Sequence, residues 1–137
     1  MRDPEKTIGN IVDKQTVSFL GSVDEEGFPN IKAMLQPRKR EGIRTFYFTT
    51  NTSSRRVAQF RENDRSCIYF CDRRFFKGLK GTIEVLTDPA SKELIWLPGD
   101  TMYYKEGVTD PDYCVLKFTA FSGRYYSGFK SEDFSVE

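Results

Sequence analysis

Residues 43–50 read Ile-Arg-Thr-Phe-Tyr-Phe-Thr-Thr, an apolar β-type run with bulk on both faces. Successive strand side chains point to opposite sides. Phe46 and Phe48 therefore share one face, and Ile43 and Tyr47 the other. Such a strand must be covered twice. One cover can be a barrel core; the other has to be a helix, a cofactor or a second subunit. This hints at dimerisation, with a helix cover equally open.

The order of the remaining elements narrows the choice. Residues 17–23 form a strand, Asp24-Glu25-Glu26-Gly27 a turn, and residues 29–36 a returning strand. On that second strand Ile31, Ala33 and Leu35 face one way and Lys32, Met34 and Gln36 the other. Pro37-Arg38-Lys39-Arg40-Glu41-Gly42 reads as a charged hairpin tip in water. Further strands are expected at 65–71, at 79–86 and from 113 to 126, with Gly123 a candidate bulge. Asp3-Pro4-Glu5 supplies a cap, a proline and a first-turn acid for a helix over 4–14. A second helix is expected from Arg55 to Arg61, with Val57, Ala58 and Phe60 as its core face, and a third from Pro89 to about Leu97. Pro98-Gly99-Asp100 breaks the third, 101–105 adds one more turn, and 130–137 reads as a loose acidic tail. Hairpin strands in succession, with short helices between them, predict a mainly β chain folded as a small antiparallel barrel. Residues 1–137 read as a single domain.

Composition excludes several functions. Twenty-one basic and 20 acidic residues leave a net charge of +1, so neither bulk nucleic-acid binding nor an anionic membrane partner is implied. No apolar run reaches membrane-span length, and the start Met1-Arg2-Asp3-Pro4-Glu5 lacks a signal-type apolar region, so a cytoplasmic location is expected. The chain has no histidine. That removes the commonest general base and the commonest metal ligand; no metal site is expected. Cys67 and Cys71 on one strand would lie about 13 Å apart, too far for a disulfide or shared zinc. With Cys114 they read as reduced, buried structural thiols.

The segment Thr49-Thr50-Asn51-Thr52-Ser53-Ser54-Arg55-Arg56 carries the chemistry. It joins the doubly covered strand to the second helix, with Asn51 or Ser53 as the expected N-cap. Arg55 and Arg56 then stand in or beside the first helical turn, where a cation costs roughly 0.3–1 kcal/mol unless an anion sits opposite. Free N–H groups, several hydroxyls and two guanidinium forks describe a phosphate cradle. A solvated arginine pair is the plain alternative.

Taken in order, several pieces resemble a known family. They are Gly27-Phe28-Pro29-Asn30, Ile31-Lys32-Ala33-Met34, Phe46-Tyr47-Phe48-Thr49-Thr50-Asn51, Ser54-Arg55-Arg56, Glu62-Asn63-Asp64 and Gly81-Thr82-Ile83-Glu84-Val85. The chain resembles the pyridoxamine 5′-phosphate oxidase-like FMN-binding split barrels, particularly their small general-stress-protein-like members, over roughly residues 5–127. The resemblance implies a six-stranded antiparallel split β-barrel and a homodimer with FMN at the subunit interface. It also implies FMN contacts at Lys32, Ala33, Met34, Thr49, Thr50, Ser54, Arg55 and Arg56. Arg56 stands where the family commonly has lysine.

The family's pyridoxamine phosphate oxidases recognise their substrate through a C-terminal arginine and histidine segment. This chain has no histidine and ends Phe129-Lys130-Ser131-Glu132-Asp133-Phe134-Ser135-Val136-Glu137, so oxidation of pyridoxamine phosphate is not expected. Two functions lead, a flavin-dependent oxidoreductase of an unidentified small molecule or a flavin- or deazaflavin-binding module without turnover. Against a third, an interaction protein that kept the barrel and lost the cofactor, stands the intact Ser54-Arg55-Arg56. No residue stands out as a general acid or base. Trp96, Tyr103, Tyr104 and Tyr113 read as packing of the third helix onto the barrel in preference to a stack over a flavin. Asp100, Asp110 and Asp112 read as caps and turns in preference to an amine site.

Overall fold

In the computed structural model, which describes residues 3–71 and 75–137 (at Phe75 the backbone alone), α1 spans Pro4–Lys14. The sequence predicts it for the right reason. Asp3 accepts a hydrogen bond from the Glu5 N–H, Pro4 occupies the first turn, and Ile8, Ile11 and Val12 turn inward. Met1 and Arg2, at the start of the segment read for a signal, lie outside the described residues.

Eight strands follow: β1 Val17–Val23, β2 Pro29–Leu35, β3 Lys39–Glu41, β4 Thr45–Asn51, β5 Arg65–Cys71, β6 Phe75–Leu86, β7 Tyr113–Ser127 and β8 Lys130–Ser135. Helix α2, Arg55–Glu62, joins β4 to β5, and α3, Pro89–Leu94, follows β6. Two single-turn 3-10 segments, Pro98–Met102 and Gly107–Thr109, lead into β7. The strands form one antiparallel sheet in the order β2-β1-β5-β6-β7-β4-β3. The six long strands of that path are the expected barrel; β3 and β8 are additions. Long β7 explains how β8 fits. Its first half pairs with β4 and its second half, Ser122–Ser127, with β8.

The barrel core is one cluster. Leu20, Met34, Phe46, Phe48, Ile68, Phe70, Leu79, Leu116 and Phe118 fill it from the strands. Phe46 lies 5.7 Å from Phe70 and 6.2 Å from Phe118 between ring centroids. Helix α1 adds its inward stripe, and α2 adds Val57 and Phe60 while Ala58 stays exposed. The second cover of β4 is a helix and turns. Tyr47 packs with Ile95, Tyr104, Tyr113 and Val115 beneath the segment that follows β6. Ile43 does not join Tyr47 as expected: it precedes β4 and enters the barrel core.

Four other expectations need correction. The tail is not loose: residues 130–135 are β8, and Phe134 and Val136 pack against the core. Helix α3 ends at Leu94, short of Leu97. The basic tip is not simply in water. Arg38 Nη1 and Nη2 hold the Asp100 carboxylate at 2.7 and 3.0 Å, and Arg40 holds Asp13 at 2.8 Å. Of the three thiols only Cys114 is buried; Cys71 is half-buried and Cys67 exposed.

Candidate functional site

Strands β2 and β4 end the sheet's two halves without pairing to each other. The chain leaving β2 reaches β4 just ahead of β3, where the Arg38 N–H donates to the Tyr47 carbonyl at 2.8 Å. Because β3 covers only Thr45–Tyr47, the edge of β4 from Phe48 to Asn51 is open toward β2. A groove of about 480 Å³ fills this split. Lys32, Ala33 and Met34 border it from β2, and Thr49 and Thr50 from β4, so five of the eight sequence-predicted residues share one site.

The other three sit at the start of α2. Ser54 is the N-cap, its hydroxyl oxygen accepting from the Val57 N–H at 3.3 Å. The predicted caps Asn51 and Ser53 are instead held by Asp112, which accepts from the Asn51 amide and the Ser53 N–H, each at 2.8 Å. With three adjacent short polar residues the capping signal cannot choose among them; the distant Asp112 does. None of Ser54, Arg55 and Arg56 lines the groove itself, and Arg55 is exposed.

Arg56 is different. It is half-buried, and its Nε is enclosed without a hydrogen-bond partner. No acid occupies the first turn of α2 to offset it. Burial alone pulls its pKa below the usual arginine value. The Lys32 pKa is also depressed, first by burial and then by the Arg56 charge. Two cations that feel each other's charge, one of them with an orphaned buried donor at a helix N-terminus, are what an opposed anion would offset.

The far end of the groove is built from Arg38, Tyr103 and Tyr104. Burial opposes the charge of Asp100, but the Arg38 bonds, the Leu97 N–H at 2.9 Å and the Arg38 charge outweigh it and hold the carboxyl below its usual range. Those bonds in turn raise the Arg38 pKa. Burial, reinforced by nearby negative groups, pushes Tyr104 up to about 12, so the phenol stays neutral and can donate. Asp110 and Asp112 serve the turns, as expected: Asp110 accepts from the Glu106 and Asp112 N–H groups. The sequence reading missed Arg38 and Tyr103 as groove residues. Arg38 looked solvated because its partner lies 62 residues away.

A larger hollow, about 1030 Å³, lies between α1 and the β7–β8 end, and none of the predicted residues borders it. Among the described residues no three histidine, cysteine or acidic side chains converge as a metal site. Among them, too, no helix is long and apolar enough to cross a membrane.

An eight-stranded antiparallel sheet that opens between β2 and β4 defines a split barrel. Residues 4–127 match the family model described as pyridoxamine 5′-phosphate oxidase, and the chain belongs to that family. A Clostridium acetobutylicum protein, described as related to general stress protein 26 of Bacillus subtilis in the pyridoxinephosphate oxidase family, is 40% identical. It superposes with a TM-score of 0.87 over 96% of this chain and 94% of its own. General stress protein 26 of Bacillus anthracis shares the fold at 16% identity, with a TM-score of 0.78 over 96% of this chain and 98% of that one. A heme binding protein of Mycobacterium smegmatis shares it at 14% identity, with a TM-score of 0.77 over 98% of this chain and 59% of that one. Among curated proteins no sequence matches.

Proposed function

We propose that this protein binds FMN in the split between β2 and β4, as a homodimer, and works as a flavin-dependent oxidoreductase on a small molecule. The observation that carries the reading is the enclosed, unpartnered Nε of Arg56, whose charge Lys32 feels. A phosphate dianion would satisfy both cations and the first N–H groups of α2. The Ser54 hydroxyl, whose oxygen already accepts from Val57, keeps its proton to donate. Thr49 and Thr50 border the rest of the groove, and the neutral Tyr104 phenol lies at its far end.

Bound flavin would supply the electron transfer. The chain's own residues would anchor the phosphate, orient the ring between β2 and β4 and limit water at the braced end. Among the described residues no histidine, cysteine or acidic side chain lines the groove, which favours a second reading, a flavin or deazaflavin carrier without turnover. Haem, the ligand in the Mycobacterium smegmatis protein's name, fits less well. This chain has no imidazole to offer an iron, and the Tyr104 phenolate is disfavoured by burial.

The dimer reading has its own support. Val17, Phe19, Ile31, Leu35 and Tyr69 are exposed large apolar side chains. The register aligns Val17 with Leu35 and Phe19 with both Ala33 and Tyr69. They therefore form one continuous outward face, with Ile31 75% and Leu35 71% exposed. A second copy would cover it and bring two grooves to the interface.

Titration of the purified protein with FMN, followed by absorbance and flavin emission, tests the reading. Saturable binding supports it; a protein that neither carries nor takes up FMN refutes it. Reoxidation of the reduced complex by candidate acceptors separates enzyme from carrier. A rate no faster than that of free flavin would rule out the oxidoreductase.

A further inference from the structure

Three of the four aromatics flagged in the sequence behave as core. Trp96, Tyr104 and Tyr113 pack on one another, with centroids 6.2, 5.1 and 4.9 Å apart. Tyr103 departs from them. It is 65% exposed, meets Tyr104 edge-on at 6.5 Å, and lines the groove. Leu97 and Met102 of the same turn are exposed as well.

The turn that carries Tyr103 is firmly held. Buried Asp100 accepts from Arg38 twice and from the Leu97 N–H. Its carbonyl accepts from the Tyr103 and Tyr104 N–H groups, each at 2.9 Å. Arg38 also donates to the Ile95 carbonyl at 3.1 Å. A bare apolar patch on a rigid frame at the mouth of a groove marks a contact surface. The groove fixes what would lie there. From Lys32 to Gln36 along β2 is about 13 Å at 3.3 Å per residue. A phosphate held at the Lys32 end leaves room for an extended five-carbon chain before a ring system reaches the Tyr103 end.

We propose that Tyr103 is a flavin-contact residue, its ring packing on the isoalloxazine and fixing the ring end of FMN as Arg56 fixes the phosphate end. The assignment rests on the flavin reading above. An offset or edge contact of this kind adds area and orientation without needing a charge. It also leaves a signature that a structural role would not. An electron-rich phenol in contact with an excited flavin passes it an electron and takes it back, so emission is quenched with no net oxidation. Phenylalanine keeps the ring but donates poorly.

The experiment compares FMN titrations of the wild-type protein with those of Tyr103→Phe and Tyr103→Leu, reading dissociation constant and bound-flavin emission together. The expected result is emission several-fold brighter in Tyr103→Phe at unchanged affinity. Tyr103→Leu should be equally bright and bind several-fold more weakly. Bound FMN as bright in the wild type as in both variants would overturn the Tyr103 contact and leave the flavin reading standing. Failure of the wild type itself to bind FMN would overturn both.

Discussion

Replacing Arg56 by alanine separates a ligand-binding arginine from a structural one, because the two roles move stability and affinity in different ways. Arg56 sits two residues past the cap Ser54, within the first turn of α2, with no acidic neighbour in that turn and an enclosed Nε that bonds nothing. In the free protein the guanidinium opposes the helix dipole, a cost of about 0.3–1 kcal/mol. Arg56→Ala should therefore raise the unfolding midpoint of the apoprotein, by about 1–5 °C for a chain of this size. In the complex the same group would donate charged hydrogen bonds worth about 1.5–3 kcal/mol, so the FMN dissociation constant should rise about 10- to 150-fold. Riboflavin, which lacks the phosphate, is the control. Wild-type protein should prefer FMN to riboflavin by at least the same factor, and Arg56→Ala should lose most of that preference without changing riboflavin affinity. Emission titrations give the affinities and differential scanning fluorimetry the midpoints. An apoprotein destabilised by the substitution, with FMN affinity within about twofold of wild type, would refute the reasoning.

Four further outcomes follow from particular contacts. Lys32 has its pKa pulled below 10.5 by burial and by Arg56, and a phosphate would favour its charged form. FMN binding should take up protons as the pH approaches that lowered value and weaken above it, and Lys32→Met should abolish the uptake measured calorimetrically in two buffers. The Asp100 pKa is depressed below 3.8, so the stability it contributes is present above that value and lost as the pH falls through its folded pKa. Asp100→Asn should cost about 3 kcal/mol at pH 7, since it leaves Arg38 half-buried without its partner, and should flatten the acid limb of the unfolding midpoint. Gly81 lies at the β6–β7 register shift, and a Cβ there would overlap the Thr119 carbonyl oxygen. Gly81→Ala should destabilise by at least about 1–3 kcal/mol in urea unfolding. Phe19→Glu with Leu35→Glu should turn the proposed dimer into monomers by light scattering; a wild-type monomer would contradict the covered-face reading.

What the sequence disclosed followed local physics. The cap, proline and acid at Asp3–Glu5 set α1, and the strand alternation put Met34 on the face opposite Ile31 and Leu35. Which face turns inward was not legible: Met34 is in the core and the apolar pair outside. The two-sided bulk of β4 correctly required two covers. What stayed hidden depended on partners far along the chain. Arg38 and Arg40 looked solvated because Asp100 and Asp13 lie 62 and 27 residues away. Residues 130–135 looked loose because their composition is polar. Backbone pairing with β7 and a single aromatic, Phe134, seated over Gly123, make them a strand. The groove residues were legible where a motif carried them, as at Lys32–Met34 and Thr49–Thr50. They were not legible at Tyr103, whose exposure depends on how the Asp100 brace turns the chain.

A crystal structure of the protein grown with FMN tests the central claim most directly. The expected result is phosphate oxygens within hydrogen-bonding distance of the Arg56 guanidinium and the Lys32 ammonium at the start of α2, with the ring lying toward Tyr103. FMN bound with its phosphate elsewhere, and Arg56 still unpaired, would contradict it.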